Sequence, residues 1–324
     1  MLKRFAVVVF SLASPCLADV TSVLDRHILP DYAKLVESTG KLETATAQDC
    51  APEAVIPAFH DAYDAWIRVS HIQFGPIEKN ALGLSMSFWP DPKDSTGKAI
   101  ARLVKAKDPI VQDRIRFRQV SAAAQGFSAL ERLLFETQPD PDYACALTRA
   151  VAAGLAEKAI AIHTGWSEFT ELMLSAGQDG NTRFQAKEDV DRTLYTALST
   201  GLEFLHDQRL GRPLGTFERP RSRRAEARRS GRSLRHIELS LNALESLAVS
   251  FSDGDLTQTR SAFAKAKERV KTLDDPTLAG VADPAKRIRV EALQRTIRDI
   301  QNAVNSEIGK SLGITPGFNS LDGD

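Results

Sequence analysis

The sequence predicts an all-α protein built as two four-helix bundles, and three observations lead there. Apolar residues recur at three- and four-residue steps almost throughout the 324-residue chain, the spacing that places them on one face of a helix. Breaks in that pattern fall where Gly, Pro and Asp cluster, so they read as turns between helices. The composition, 43% hydrophobic and 26% charged, is that of an ordinary globular chain and excludes disorder, collagen and a polytopic membrane protein.

At the N-terminus, Lys3 and Arg4 precede an apolar stretch at 5–12, and Cys16-Leu17-Ala18 ends as a small-x-small cleavage site. Residues 1–18 are therefore expected to be a cleaved export signal, which places the mature chain in the periplasm. A lipoprotein signal ending at Cys16 is the alternative, opposed by Pro15 immediately before it. The apolar run from Phe5 to Ala13 is far shorter than the about 20 residues a spanning helix needs, so no membrane span is expected. Lys+Arg and Asp+Glu are both 42, a balance that gives no footprint for nucleic acid.

The first helix carries Val23, Leu24, Ile28, Tyr32, Leu35 and Val36 on one face, and the second carries Val55, Phe59, Tyr63, Trp66 and Ile67. Residues 71–109 fit neither pattern. They hold Gly75-Pro76, Gly83, Trp89-Pro90 and a short helical piece near 99–105, and a connection this long is more often functional than a plain link. A third stripe runs Phe117, Val120, Ala124, Phe127, Leu130 and Leu134; a fourth runs Leu147, Val151, Leu155, Ala159, Ile162, Trp166, Phe169 and Met173. The turn at 177–181 closes this set, giving an N-terminal bundle over 19–176. Four further stripes follow in a C-terminal bundle over 183–314: Val190 to Leu202, Leu234 to Leu244, Phe263 to Val270, and Leu293 to Ile308. Residues 315–324 form a tail.

Export leaves Cys50 and Cys145 in an oxidising compartment. Cys50 precedes the second helix and Cys145 opens the fourth, and in an up-and-down bundle these helices begin at the same end. A disulfide is expected; closing a loop of about 95 residues stabilises by roughly 4–5 kcal/mol in the chain-entropy model. The pair makes no zinc site, since neither Cys belongs to a CxxC pair or has a His at ligand spacing.

No HExxH, GxSxG or GxxxxGK[ST] element is present, which points away from an enzyme. The first positive signal is Gln125-Gly126-Phe127-Ser128-Ala129-Leu130-Glu131. A glycine inside an otherwise strong helix costs about 1 kcal/mol relative to Ala, so Gly126 suggests close approach by another backbone or a ligand. Ser128 and Glu131 share a face beside the apolar stripe. A plainer reading makes Glu131 a boundary carboxylate paired with Arg118 or Arg132.

Several motifs resemble those of imelysin-like proteins. Gly126 to Glu131 is similar to that family's GxHxxE signature; Phe74-Gly75-Pro76 and Phe88-Trp89-Pro90-Asp91 resemble its FGP and WP elements. Ser230-Gly231-Arg232-Ser233-Leu234 resembles the motif opening a helix of its C-terminal domain, and Gly317-Phe318-Asn319 with Asp322-Gly323-Asp324 its closing GFN and DGD. The resemblance implies two helical bundles, export, a site at the domain interface, and links to iron uptake and a peptidase label. The chain departs at the histidine position, which is Ser128. A hydroxyl is a poorer ligand for iron or zinc than imidazole, so any metal is expected to be held more weakly.

His71, three residues before Phe74-Gly75-Pro76, is the best substitute ligand; otherwise it is a half-exposed cap of the second helix. His60, Asp61 and Asp64 are expected to face solvent, because Phe59 and Tyr63 set the core direction. Glu203 and His206 form a single Glu-x-x-His of the di-iron type near a helix end. Between Arg209 and His236 there are ten arginines and no lysine, against Glu218 and Glu226. That pattern suits bidentate recognition of carboxylate or phosphate, or else a solvated segment and ion pairs to the other bundle. With Phe217 as its one interleaved aromatic, the segment is a poor nucleic-acid binder.

The leading expectation is a periplasmic binding protein for iron or another small ligand, with Gly126, Ser128, Glu131 and Arg235 at its site and Trp89 and Phe318 as walls. Glu131 and His71 are the metal candidates. The alternatives are a metallopeptidase of the imelysin type and an envelope protein that docks a partner through Arg209 to Arg235.

Overall fold

The computed structural model describes residues 20–251 and 255–313. The export signal, the tail and Phe318 lie outside the described residues. Among the described residues every regular element is a helix or a 3-10 turn and there is no strand. No helix there is long and apolar enough to cross a membrane.

The N-terminal bundle consists of α1 (20–48), α2 (Pro52–Val69), α3 (Gly126–Phe135) and α4 (Pro141–Leu174). α1 packs along both α2 and α4, and α3 closes the bundle against α2 and α4. Tyr32, Phe59, Tyr63, Phe127 and Trp166 are its largest fully buried side chains. Local chemistry starts the helices where the breaks predict. Pro52 and Pro141 supply the fixed φ of a first helical turn, and the Asp140 carboxylate accepts from the Tyr143 amide at 3.0 Å. Cys50 and Cys145 are bonded, with their Cα atoms 5.4 Å apart, as the shared bundle end predicts.

The C-terminal bundle consists of α5 (187–210), α6 (Ser233–Phe251), α7 (Thr257–Leu273) and α8 (284–309). α7 pairs with α8, α6 with α7, and α5 lies against α6 and α8. The two bundles meet where α6 packs on α2 and on the start of α1. Two of the interface helices carry π-helical turns, Leu24–Ile28 in α1 and Phe204–Leu210 in α5.

One expected helix is broken. The stripe from Phe117 to Leu134 falls into Arg114–Phe117, a 3-10 turn at Ala122–Ala124, and α3. Gln125 is extended and Gly126 has a φ of +74°, so the apolar spacing continues across a chain that is not one helix. The 71–109 connection contains a 3-10 segment Gly75–Ala81, a turn of helix Leu82–Met86 and a 12-residue helix Ser95–Ala106. Asp91 starts the last of these by accepting from the amides of Ser95 and Thr96, both at 2.8 Å.

Candidate functional site

The site begins with a crossing of two backbones. A Cβ on Gly126 would stand 2.3 Å from the Met86 carbonyl oxygen and 2.5 Å from that of Ser85. Only glycine lets the 82–87 segment pass against the start of α3, and its positive φ disfavours other residues independently. The expected reason for Gly126, close backbone approach, is met, though at a helix start and not in a helix interior. Lys158 of α4 clamps the crossing, donating to Gln125 Oε1 at 2.7 Å and to the Ser85 carbonyl at 3.2 Å. Burial pushes its amine down to about 8.

The crossing sets Ser87 beside α3. Ser87 Oγ lies 3.3 Å from Ser128 Oγ and 3.3 Å from the Tyr63 hydroxyl. Tyr63 stacks on Phe127, centroids 4.6 Å apart, and meets His236 edge-on at 4.4 Å. One turn along α3, Glu131 is buried, and its Oε1 accepts from the Ser230 amide at 2.9 Å and the Ser230 hydroxyl at 2.7 Å. Burial pushes the Glu131 carboxyl up; the Ser230 bonds and the positive charge of Arg229 and Arg228 pull it back in part.

Neither arginine first considered for Glu131 bonds it. Arg118 goes to Glu157 at 2.9 Å, and Arg132 bonds Asp94. Arg235, expected to orient a ligand with Glu131, instead bonds Asp64 at 2.8 Å and Glu238 at 2.9 Å. It is half exposed and stands on neither cavity wall described below. Asp64 also pairs with the buried Arg232, whose other nitrogen lies 2.7 Å from His60 Nδ1. His60 and Asp64 therefore stitch the bundles together and do not face open solvent as expected, whereas Asp61 is exposed as expected.

Behind Ser230 lies a buried ion pair. Arg209 Nε donates to Glu226 at 2.7 Å, Nη1 donates to Ser240 Oγ at 2.8 Å, and His236 Nδ1 is 3.0 Å from the same Glu226 oxygen. Burial alone would raise the Glu226 carboxyl, but Arg209 and His236 overcome it and hold the group at about 2. Burial lowers His236 to about 4, so it is neutral at pH 7 and serves as a hydrogen-bonding group.

Two cavities open at this interface. The first, about 300 Å³, is walled by Ser128, Glu131, Trp89 and the guanidinium-bearing residues Arg212, Arg223, Arg224 and Arg228. The second, about 440 Å³, has His71 and Trp89 in its wall. Ser128, Glu131 and Trp89 thus share the first cavity, while His71 stands on the wall of the second, which it shares with Trp89. His71 is buried, not a half-exposed cap: its Nε2 is 2.9 Å from His27 Nε2, and His27 Nδ1 is 3.1 Å from Ser246 Oγ. His206 lies 2.5 Å from Asp207. No three His, Cys, Asp or Glu side chains converge as a metal-holding group among the described residues.

Sequence reasoning missed Ser230 as the partner of Glu131 and missed His27 altogether. Ser230 opens the Ser230–Leu234 motif, so the pairing of two motifs across the chain was the available signal.

The fold and this interface define a class: an all-helical protein of two bundles with a polar-lined cavity between them. The imelysin family model, which bears the peptidase M75 label, matches residues 28–304. The chain belongs to the imelysin family. No curated protein matches its sequence. Among solved structures, an imelysin-like protein from Psychrobacter arcticum 273-4 is similar with a TM-score of 0.74 at 18% identity, covering 92% of this chain and 96% of that one. A protein of Parabacteroides distasonis ATCC 8503 assigned as an iron-regulated protein A precursor is similar with a TM-score of 0.74 at 13% identity, covering 91% and 93%. At these identities the likeness is one of fold.

Proposed function

We propose that this chain is a periplasmic binding protein whose interbundle cavity takes a small, multiply charged anion. One observation carries the reading: four arginines on the cavity wall form no contact ion pair with a carboxylate among the described residues. Arg212 bonds only the amide of Gln208, Arg228 donates to the Arg223 carbonyl, and the Arg223 and Arg224 side chains bond nothing there. The acids of the same wall are committed elsewhere. Glu131 is held by Ser230, Glu226 by Arg209, Asp91 by a helix start and Asp94 by Arg132. Burial and the neighbouring Arg224 push Arg212 below the usual arginine range; burial and Arg229 do the same to Arg228. A bound carboxylate or phosphate relieves that repulsion and suits the planar guanidinium fork.

A bare metal ion fits these residues poorly. Ser128 offers a hydroxyl where the family's imidazole is expected, Glu131 is already bonded through Oε1, and no third donor converges on them among the described residues. The metallopeptidase alternative needs such a set. In an iron-acquisition role, suggested by the name of the P. distasonis protein, iron enters as part of an anionic carboxylate chelate. Partner docking is less favoured, because Arg209, Arg229, Arg232 and Arg235 are engaged within the chain.

Calorimetric titration with citrate and with pyrophosphate tests the proposal. At least one binds one to one, more weakly as salt rises, and loses about tenfold in affinity for each charge-assisted contact removed in Arg224→Gln and Arg228→Gln. Affinity unchanged in the double variant would exclude the anion reading.

A further inference from the structure

The second cavity differs from the first in almost every respect. Its walls are the helix faces that meet between the bundles: Trp66 and Ile67 of α2, Phe204 of α5 and Leu244 of α6, with Trp89 of the connection reaching across. Trp89 and Phe204 meet edge to face, centroids 5.8 Å apart. At about 440 Å³ it lies within the range of small-molecule pockets, which are mostly apolar with a few placed polar groups.

The placed group is His71. It is nearly fully buried on this wall, and its Nε2 is used by His27. Its other ring nitrogen, Nδ1, has no hydrogen-bond partner among the described residues. It is not sealed among protein atoms either, so it stays open to the cavity that His71 lines and is free to bond a ligand there. In a pair of neutral imidazoles one Nε2 donates to the other. If His27 donates, His71 presents an N–H at Nδ1; if His71 donates, it presents a lone pair. A hydroxyl answers either tautomer, because it gives and takes a hydrogen bond.

The charges of the wall narrow the choice further. Arg209 is neutralised by Glu226, while Glu203 and Asp207 bring negative charge and no unpaired cation accompanies them. An anion of the kind suited to the first cavity is therefore disfavoured here. One π-helical turn supplies Phe204 and Arg209 to the wall, and a second holds His27, the partner of His71. Such turns often mark functional sites in otherwise regular helices.

We propose that this cavity is a second, independent binding site for a small neutral aromatic molecule bearing a hydroxyl, with the ring between Trp89, Phe204 and Leu244 and the hydroxyl on His71 Nδ1. Phenol is the probe, toluene its counterpart without the hydroxyl, and benzoate its anionic counterpart. Binding is followed on the full chain by calorimetry and by ligand-observed NMR. Phenol binds one per chain with a dissociation constant at or below about 1 mM, and benzoate binds at least tenfold more weakly. In His71→Phe, phenol loses about tenfold while toluene is indifferent, the signature of one lost hydrogen bond and not of a reshaped cavity. Thr200→Trp, which fills the cavity from α5 and leaves the His27–His71 pair in place, removes both ligands and leaves citrate or pyrophosphate binding unchanged.

Absence of saturable phenol binding, or its survival in Thr200→Trp, overturns the site. Equal losses of phenol and toluene in a folded His71→Phe protein overturn the role given to His71. Failure of the anion titrations with phenol binding intact would strike the first cavity alone.

Discussion

The two cavities share the Trp89 side chain and the Glu226 carboxylate, yet they are made from different materials. The first draws its arginines from the irregular 211–229 stretch and its carboxylate from the second turn of α3. The second is lined mainly by residues of packed helices. Charge recognition needs long side chains free to converge from several directions, and an irregular backbone supplies those directions. Shape recognition needs walls that do not move, and packed helices supply them. The boundary between the cavities is the buried Arg209–Glu226 pair with His236, which ties α5, the arginine segment and α6 into one body. Arg209 also reaches Ser70 at the end of α2, so the same group couples the bundles.

Breaking that boundary gives the largest effect. Glu226→Gln keeps the shape but leaves Arg209 buried without its counter-charge, and removing one partner of a buried pair typically costs about 3–5 kcal/mol. Chemical denaturation should show that loss, with citrate and phenol binding both reduced. A loss below about 1 kcal/mol would mean that water or Ser240 neutralises Arg209 well enough, and the picture of a shared rigid wall would fail.

Much of the fold was legible because helical spacing and clustered Gly, Pro and Asp report the same boundaries. The disulfide followed from the expected export to an oxidising compartment together with the shared bundle end. The break before Gly126 was hidden, since Phe117, Val120, Ala124 and Phe127 keep helical spacing through a non-helical turn. His27 was hidden for a related reason: it lies in a π turn, where the spacing of buried residues shifts. The arginine segment stood out by composition, but composition carries no information on which guanidiniums find acids inside the fold. Arg235 therefore looked as eligible as Arg228, although the first is spent on Asp64 and Glu238 and the second stands on the cavity wall.

A next, smaller effect reaches both cavities. Gly126→Ala forces a Cβ against the Ser85 and Met86 carbonyls at a positive φ, for a destabilisation of about 2–4 kcal/mol. The strain falls on the start of α3, which gives Ser128 to the first cavity, and on the segment that gives Gly83, Leu84 and Ser87 to the second, so anion and toluene binding should both weaken. Denaturation midpoints and the two titrations decide it. A neutral substitution would show that the crossing is loose.

The smallest stability effect belongs to Ser128, which stands where the motif resemblance leads one to expect a histidine. Its hydroxyl makes one long hydrogen bond, 3.3 Å to Ser87, so replacing it should cost less than about 1 kcal/mol. In Ser128→His an imidazole would stand one turn from Glu131 on the same face of α3. Two donors from protein, with water completing the shell, make a weak site and not a closed one. Zinc or ferrous ion should therefore bind the variant at least tenfold more tightly than the parent, and Glu131→Ala in the variant should remove the gain. Calorimetry on the three proteins reads this directly. No gain would mean that position 128 does not face the place a metal occupies, and that the motif here serves the backbone crossing alone. Tight binding by the parent, untouched by Glu131→Ala, would move the metal to His71 or to Glu203 and His206. That outcome would reverse the comparison, giving the second cavity the metal and leaving the first its arginines.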